Sequence, residues 1–194
     1  MWDQRYQSDT YAYGVNPNAY MAAHLGYFKP GSSVLVPADG EGRNGVYLAK
    51  QGYLVTTFDG SIEGCRKARQ LADREGVSMA SHHADFDAFV LSTYDGIVLS
   101  FFHTPASVRQ AYHRACMAAL NPGGIVLVHG FGSQQMTYTS GGPRDPEMLF
   151  TLPQLRDDFD GLTVLQEDDY VGSLDEGPYH QGPAHLIGFI GRRS

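Results

Sequence analysis

The chain has 194 residues, with 14 Lys+Arg against 21 Asp+Glu for a net charge of −7. Hydrophobic residues make up 42% and charged ones 18%, which excludes a disordered chain, and the acidic balance argues against a nucleic-acid partner gripped through phosphates. Glycine is in excess: 23 residues, about 12% against a usual value of about 7%, with no repeat period to explain it.

Met1 to Asp9 is polar and aromatic, without the apolar core of a signal peptide. No apolar run approaches the roughly 20 residues of a membrane span. Cys65 and Cys116 are too few for a disulfide framework or a four-ligand zinc site, and read as buried free thiols. A cytoplasmic protein with no membrane partner and no metal is expected. Residues 1–194 read as one domain, with 1–30 as an N-terminal lid or substrate segment and 31–194 as the core.

From Ser33 to Val128 short apolar runs alternate with helical patterns. Val34-Leu35-Val36 reads as a buried strand entering a Gly-rich turn, and Asn44 to Lys50 as helix. Leu54 to Phe58 is a second strand ending at Asp59-Gly60. Ser61 is placed to cap the next helix, in which Ile62, Cys65, Ala68, Leu71 and Ala72 keep helical spacing. Ser78 to His83 is a third strand and Tyr94 to Phe102 holds a fourth. Thr104-Pro105 reads as cap and first helical position, and Val108, Tyr112, Ala115 and Ala119 as the buried stripe of the helix that follows. Asn121-Pro122-Gly123-Gly124 turns into a fifth strand, Ile125 to Val128. Leu162 to Leu165 and Leu186 to Ile190 read as an antiparallel pair joined by a long loop, Asp168 to Ala184. The acids between Asp157 and Glu176 read as a solvated face. The pattern predicts an α/β Rossmann-like, doubly wound sheet, mostly parallel with an antiparallel C-terminal pair and helices on both faces.

Asp39-Gly40-Glu41-Gly42-Arg43-Asn44-Gly45 follows the first strand and opens a helix, a G-x-G-x-x-G arrangement. Its glycines permit a tight turn against a ligand, and the helix start supplies N–H groups. Asp59 ends the second strand, where a carboxylate accepts both ribose hydroxyls of an adenosine-containing ligand or caps the helix at Ser61. Asp85 extends the same edge toward an adenine amino group, or forms a turn.

These stretches, with Tyr47-Leu48-Ala49, Gly52-Tyr53 and the Leu120-Asn121-Pro122-Gly123-Gly124 turn, resemble the class I S-adenosylmethionine-dependent methyltransferases. Trp2 to Tyr6, Tyr13 to Asn18 and Glu176-Gly177-Pro178-Tyr179-His180-Gln181-Gly182 are similar to stretches of the small tellurite-resistance and thiopurine methyltransferases. The resemblance implies S-adenosylmethionine as cofactor, with Asp59 on the ribose, Asp85 and Phe86 on the adenine, and Gly40 and Gly42 on the methionine portion. Ser100 and Phe101 would lie near the sulfonium, and Asp39, Asn44, Gly60, Ser61 and Tyr13 complete the expected cofactor set. One departure stands out: Val36 and Ala38 occupy positions where that family has an acid and a glycine, and Asp39 is the nearest substitute.

A small-molecule acceptor with a thiol, chalcogen oxyanion or hydroxyl is implied, bound by a monomer or homodimer. His180 and His103 are the candidate bases, because an imidazole titrates in the right range. Trp2, Arg5, Tyr6, Arg144 and Tyr179 are the candidate acceptor contacts, and Gly141 to Arg144 reads as a mobile turn at the mouth. An NAD(P)-dependent oxidoreductase using the same glycine turn, or a non-catalytic S-adenosylmethionine-binding protein, are the competing readings.

Overall fold

Apolar triplets too short to make a helix become strand centres, and their alternation decides which layer each side chain enters. In the computed structural model, which describes residues 1–194, the elements run α1 (Trp2–Tyr6), α2 (Ala19–Ala23), β1 (Ser33–Pro37), α3 (Arg43–Lys50), β2 (Leu54–Asp59), α4 (Ile62–Glu75), β3 (Ala80–His83), β4 (Tyr94–Ser100), α5 (Ala106–Ala118), β5 (Leu120–Phe131), α6 (Leu152–Asp158), β6 (Leu162–Asp175) and β7 (Gln181–Arg193). Leu35, Ile97, Leu99, Val126 and Val128 enter one buried cluster, while Val34, Val36, Val98 and Leu127 enter the other. That two-residue period sandwiches the sheet between two apolar layers.

The seven strands lie in the order β3-β2-β1-β4-β5-β7-β6. β1 to β5 pair in parallel, and β7 runs antiparallel to both β5 and β6. The strand order reverses between β1 and β4, and open α/β sheets bind ligands at the carboxyl edge of such a switch point.

The C-terminal third corrects the sequence reading. The expected loop from Asp168 to Ala184 is almost entirely strand: pairing continues from Val171↔His185 to Asp175↔Gln181, leaving residues 176–180 as the connection. β7 is templated by β5, from Ile125↔Arg192 to Phe131↔Leu186, a long-range partner that local Gly, Pro and Tyr composition does not reveal. α6 was also not foreseen; Thr151 and Gln154 form a reciprocal capping box at its start.

At α5 the cap shifts by one residue: Pro105 takes the cap position, and the helix begins at Ala106. Its buried face is His113 and Cys116, whereas Val108, Tyr112 and Ala115 are half-buried. The cause is Asp158, which is buried rather than solvated. Its carboxylate accepts from Arg109 Nε at 2.7 Å and pairs with His113 Nδ1 at 2.9 Å, drawing that side of α5 onto α6. Cys65 and Cys116 are free and buried, and burial pushes the Cys116 thiol up to about 12.

Replacing Asp158 with Ala strands the buried His113 Nδ1 and the half-buried Arg109 Nε, so it should cost about 3 kcal/mol in a urea unfolding titration. A loss below about 1 kcal/mol would contradict the role given to this carboxylate.

Candidate active site

The carboxyl ends of β1, β2 and β4 open into a cavity of about 780 Å³, within the range of small-ligand sites. Ala38 and Phe101, at the ends of β1 and β4, are the two non-glycine residues with positive φ, at 51° and 52°. Such backbone is costly and persists where the surroundings enforce it, most often at binding sites. Here it flanks the switch point on both sides.

Gly42 shows why the turn needs glycine. Its φ is +89°, and a Cβ there would lie 2.7 Å from Ala68 on α4. The loop thus presses onto that helix, and its far side faces the cavity. Asp59 stabilises the loop by accepting from Gly40 N and Ser61 N, both at 2.8 Å, through different oxygens. Each oxygen keeps a lone pair that a ribose hydroxyl could use, while burial raises the carboxyl's affinity for protons. The cap alternative holds partly: Ser61 Oγ accepts from Gly64 N at 3.0 Å, so Ser61 itself caps α4 and Asp59 orders the residues before it.

Asp39 turns beneath the first turn of α3, accepting from Gly45 N at 3.0 Å. Burial pushes it up to about 7 against the help of that amide. Val36 is buried in the sheet and Ala38 lines the cavity. Asp85, Phe86 and Ser100 line it as expected; Phe86 stacks on Tyr112 at 4.1 Å, and Asp85 lies tight against Gly60. Asn44 also lines the cavity, yet its Oδ1 is taken by Asn18 N at 2.9 Å. Ser61 lies behind the wall, donating to Asp3 Oδ1 at 2.5 Å.

The N-terminal segment forms the opposite wall. Trp2, Arg5, Tyr6 and Tyr13 line it, with Tyr6 packed over Gly40. Arg5 Nη1 donates to the Tyr13 hydroxyl at 2.7 Å, and its guanidinium lies over Tyr179 at 4.6 Å and Trp2 at 5.1 Å. Tyr179 is exposed and supports Arg5 from outside the wall; Arg144 reaches the mouth from the turn at Gly142. A buried ion pair fastens this segment: Lys67 Nζ lies 2.5 Å from Glu41 Oε1 and donates to Ser8 O and Thr10 O, while Glu41 accepts from Ala12 N at 2.7 Å.

The two histidines differ sharply. His103 accepts at Nε2 from Phe131 N at 3.0 Å, so its proton is on Nδ1, 2.8 Å from Met148 O. Both nitrogens are committed to backbone, and burial lowers its pKa to about 4. His180 lines the cavity among Tyr13, Phe101 and Phe131, with ring centroids 4.5, 4.4 and 5.2 Å away. Burial lowers its pKa too, with Glu176 opposing the shift.

Asp39 Oδ1, Arg43 Nη1, Ser100 Oγ and Thr104 Oγ1 are buried without a hydrogen-bond partner, and all four residues line this one cavity. Buried polar atoms are normally satisfied, so their convergence suits a ligand carrying both donors and acceptors. A nucleoside with an amino-acid tail offers a diol for Asp59, an amine for Asp39 and a carboxylate for Arg5 or Arg43.

The methyltransferase domain family matches residues 34–124, which run from β1 into the start of β5. Residues 34–124 form a methyltransferase domain. No curated protein matches the sequence significantly. Solved structures share the fold at low identity. TehB from Haemophilus influenzae is 18% identical at a TM-score of 0.76, covering 100% of this chain and 66% of that one. The protein from the study of disulfide-to-thioacetal conversion in echinomycin biosynthesis is 20% identical at 0.78, covering 99% and 88%. The magnesium protoporphyrin IX methyltransferase of Synechocystis PCC 6803, with S-adenosylhomocysteine bound, is 16% identical at 0.69, covering 91% and 79%. The antiparallel β7 between β5 and β6 also departs from the 3-2-1-4-5-6 order of dinucleotide-binding sheets.

Several residues of this site were not singled out by sequence. Arg43, Asn18, Lys67 and His129 are polar, buried and joined to partners far along the chain. Only their placement within quoted motifs (Arg43 in the glycine turn, Asn18 at the end of the N-terminal stretch) hinted at a role.

Asp39 has a signature in the pH dependence of stability. Its folded pKa of about 7 exceeds the ordinary 3.8, so the folded state binds the extra proton, and this contribution is lost as pH rises from about 4 through 7. Asp39→Asn should therefore gain stability relative to wild type between pH 5 and 8 in paired denaturant titrations. A constant difference across that range would refute the burial of a charged Asp39.

Proposed function

We propose that this methyltransferase acts on a small molecule whose nucleophile is easily ionised (a thiol, a chalcogen oxyanion or a hydroxyl), with His180 as its general base. The cofactor, when bound, supplies a methyl group already activated on a sulfonium. Asp59 would hold the ribose, Asp85 and Phe86 the adenine, and the Gly40 and Gly42 backbone with Asp39 the amino-acid end, with Ser100 and Phe101 beside the reacting centre. What remains for the protein is positioning, exclusion of water and removal of one proton.

The observation that carries the acceptor reading is the setting of His180. It is enclosed by aromatic rings on the cavity wall, near Gly141 and across from the strained Phe101. His103 has its acceptor nitrogen filled, so it serves as wall. A neutral imidazole with a lowered pKa takes a proton from an acceptor near neutral pH, while Tyr13, Phe101 and Phe131 keep the site dry. TehB and a magnesium protoporphyrin IX methyltransferase among the structural neighbours support a small-molecule acceptor. Trp2, Arg5, Tyr6 and Arg144 would contact the acceptor or close the cavity over it.

Methyl transfer is checked by following S-adenosylhomocysteine formation with thiols, tellurite and phenols. Wild type should turn over at least one class, and His180→Gln should reduce kcat/KM by about 100-fold or more for that acceptor. Binding of cofactor with no turnover across the panel would instead favour a non-catalytic binding protein.

A further inference from the structure

Glu176 opens the short turn between β6 and β7, buried at 8% exposure. Its Oε2 accepts from Arg43 Nη2 at 2.8 Å, and its Oε1 from Asn18 Nδ2 at 3.0 Å and Ala19 N at 3.3 Å. Glu176 N donates to His180 O at 2.9 Å, which fixes the two ends of the turn against each other. Burial works against the charge, but His180 and Arg43 hold this carboxyl down at about 2, so it stays ionised.

His180 Nδ1 is fully buried without a hydrogen bond, and Glu176 Oε2 lies 3.6 Å from it. An N–H facing that carboxylate is attracted to it, and a bare lone pair is repelled. The other ring edge faces the loop at Gly141: a Cβ there would meet His180 Cδ2 at 2.9 Å and Nε2 at 3.5 Å. The ring is clamped between Tyr13 and Phe101 and cannot turn over freely.

We propose that Glu176, itself fixed by Arg43 and Asn18, is a positioning residue that keeps the His180 proton on Nδ1 and presents an unprotonated Nε2 to the acceptor. This rests on His180 being the base. Arg43 is the first residue of α3, so one guanidinium joins the glycine turn to the acceptor side of the cavity. Charges that act on His180 come from Glu176, Arg43 and Arg5.

The test is the tautomer of His180 in the full chain, read by ¹⁵N NMR of histidine-labelled protein and assigned with His180→Gln. The expected result at pH 7.5 is a proton on Nδ1 and a bare Nε2; a proton on Nε2 overturns the proposal. Kinetics give a second reading with any acceptor that is turned over. Glu176→Gln removes the charge and should lower the His180 pKa further. The acid limb of the kcat/KM profile should then move to lower pH, while the plateau falls about tenfold; Glu176→Asp should restore the limb. A plateau that drops with the limb unmoved marks a merely structural carboxylate and overturns the proposal. Failure of the base reading shows separately, as full turnover by His180→Gln, whereas the tautomer reports on Glu176 whatever the turnover.

Discussion

The buried carboxylate of Glu176 meets the guanidinium of Arg43 and the amide of Asn18 where three segments of the chain converge. A charge removed from water is costly unless every lone pair finds a partner, and removing one partner leaves the rest exposed to that cost. The C-terminal hairpin, the N-terminal segment and the start of α3 are therefore held in one arrangement. Asn18 extends the network: its Oδ1 caps Met21 N, and its amide nitrogen also reaches His129 Nδ1 at 3.0 Å. His129 must then carry its proton on Nε2, toward the Tyr170 hydroxyl at 3.2 Å, and burial lowers its pKa to about 3, keeping it neutral.

Around that fixed point the cavity is assembled from strained and unsatisfied parts. Left-handed backbone at Ala38 and Phe101 redirects the chain as it leaves β1 and β4, so both residues turn into the cavity. The unpartnered buried atoms concentrate on the same walls, and the one other such group outside this cavity is His113 Nε2. A sheet edge that stores strain and exposes unmet hydrogen-bonding capacity loses stability there and gains binding capacity. Lys67 and Glu41 offset part of this by fixing the N-terminal wall.

Much of this was legible in the sequence wherever local pattern and structure share a cause. The strand triplets, the glycine turn, the Ser61 cap and the position of Asp59 all follow from period, φ requirements and short-range hydrogen bonding. β6 and β7 were read too short because their length is set by pairing with each other and with β5, not by their own composition. Asp158 was read as part of a solvated face, and Glu176 both as part of that face and as the start of the Glu176-to-Gly182 motif, since an acid looks alike in sequence whether water or a distant arginine neutralises it. Glu176 finds Arg43 across 133 positions, and Asp158 finds His113 across 45. His103 likewise stood as the second candidate base, and the Phe131 amide fills its Nε2.

Asp59 orders the glycine turn with its two oxygens and lines the cavity. Isothermal titration of wild type and Asp59→Ala with S-adenosylhomocysteine and with NAD tests this role most directly. Wild type should bind S-adenosylhomocysteine and not NAD, and Asp59→Ala should weaken binding by about 100-fold or more through the loss of charged hydrogen bonds. Binding of NAD in place of S-adenosylhomocysteine, or an unchanged affinity in Asp59→Ala, would contradict the assignment of this cavity.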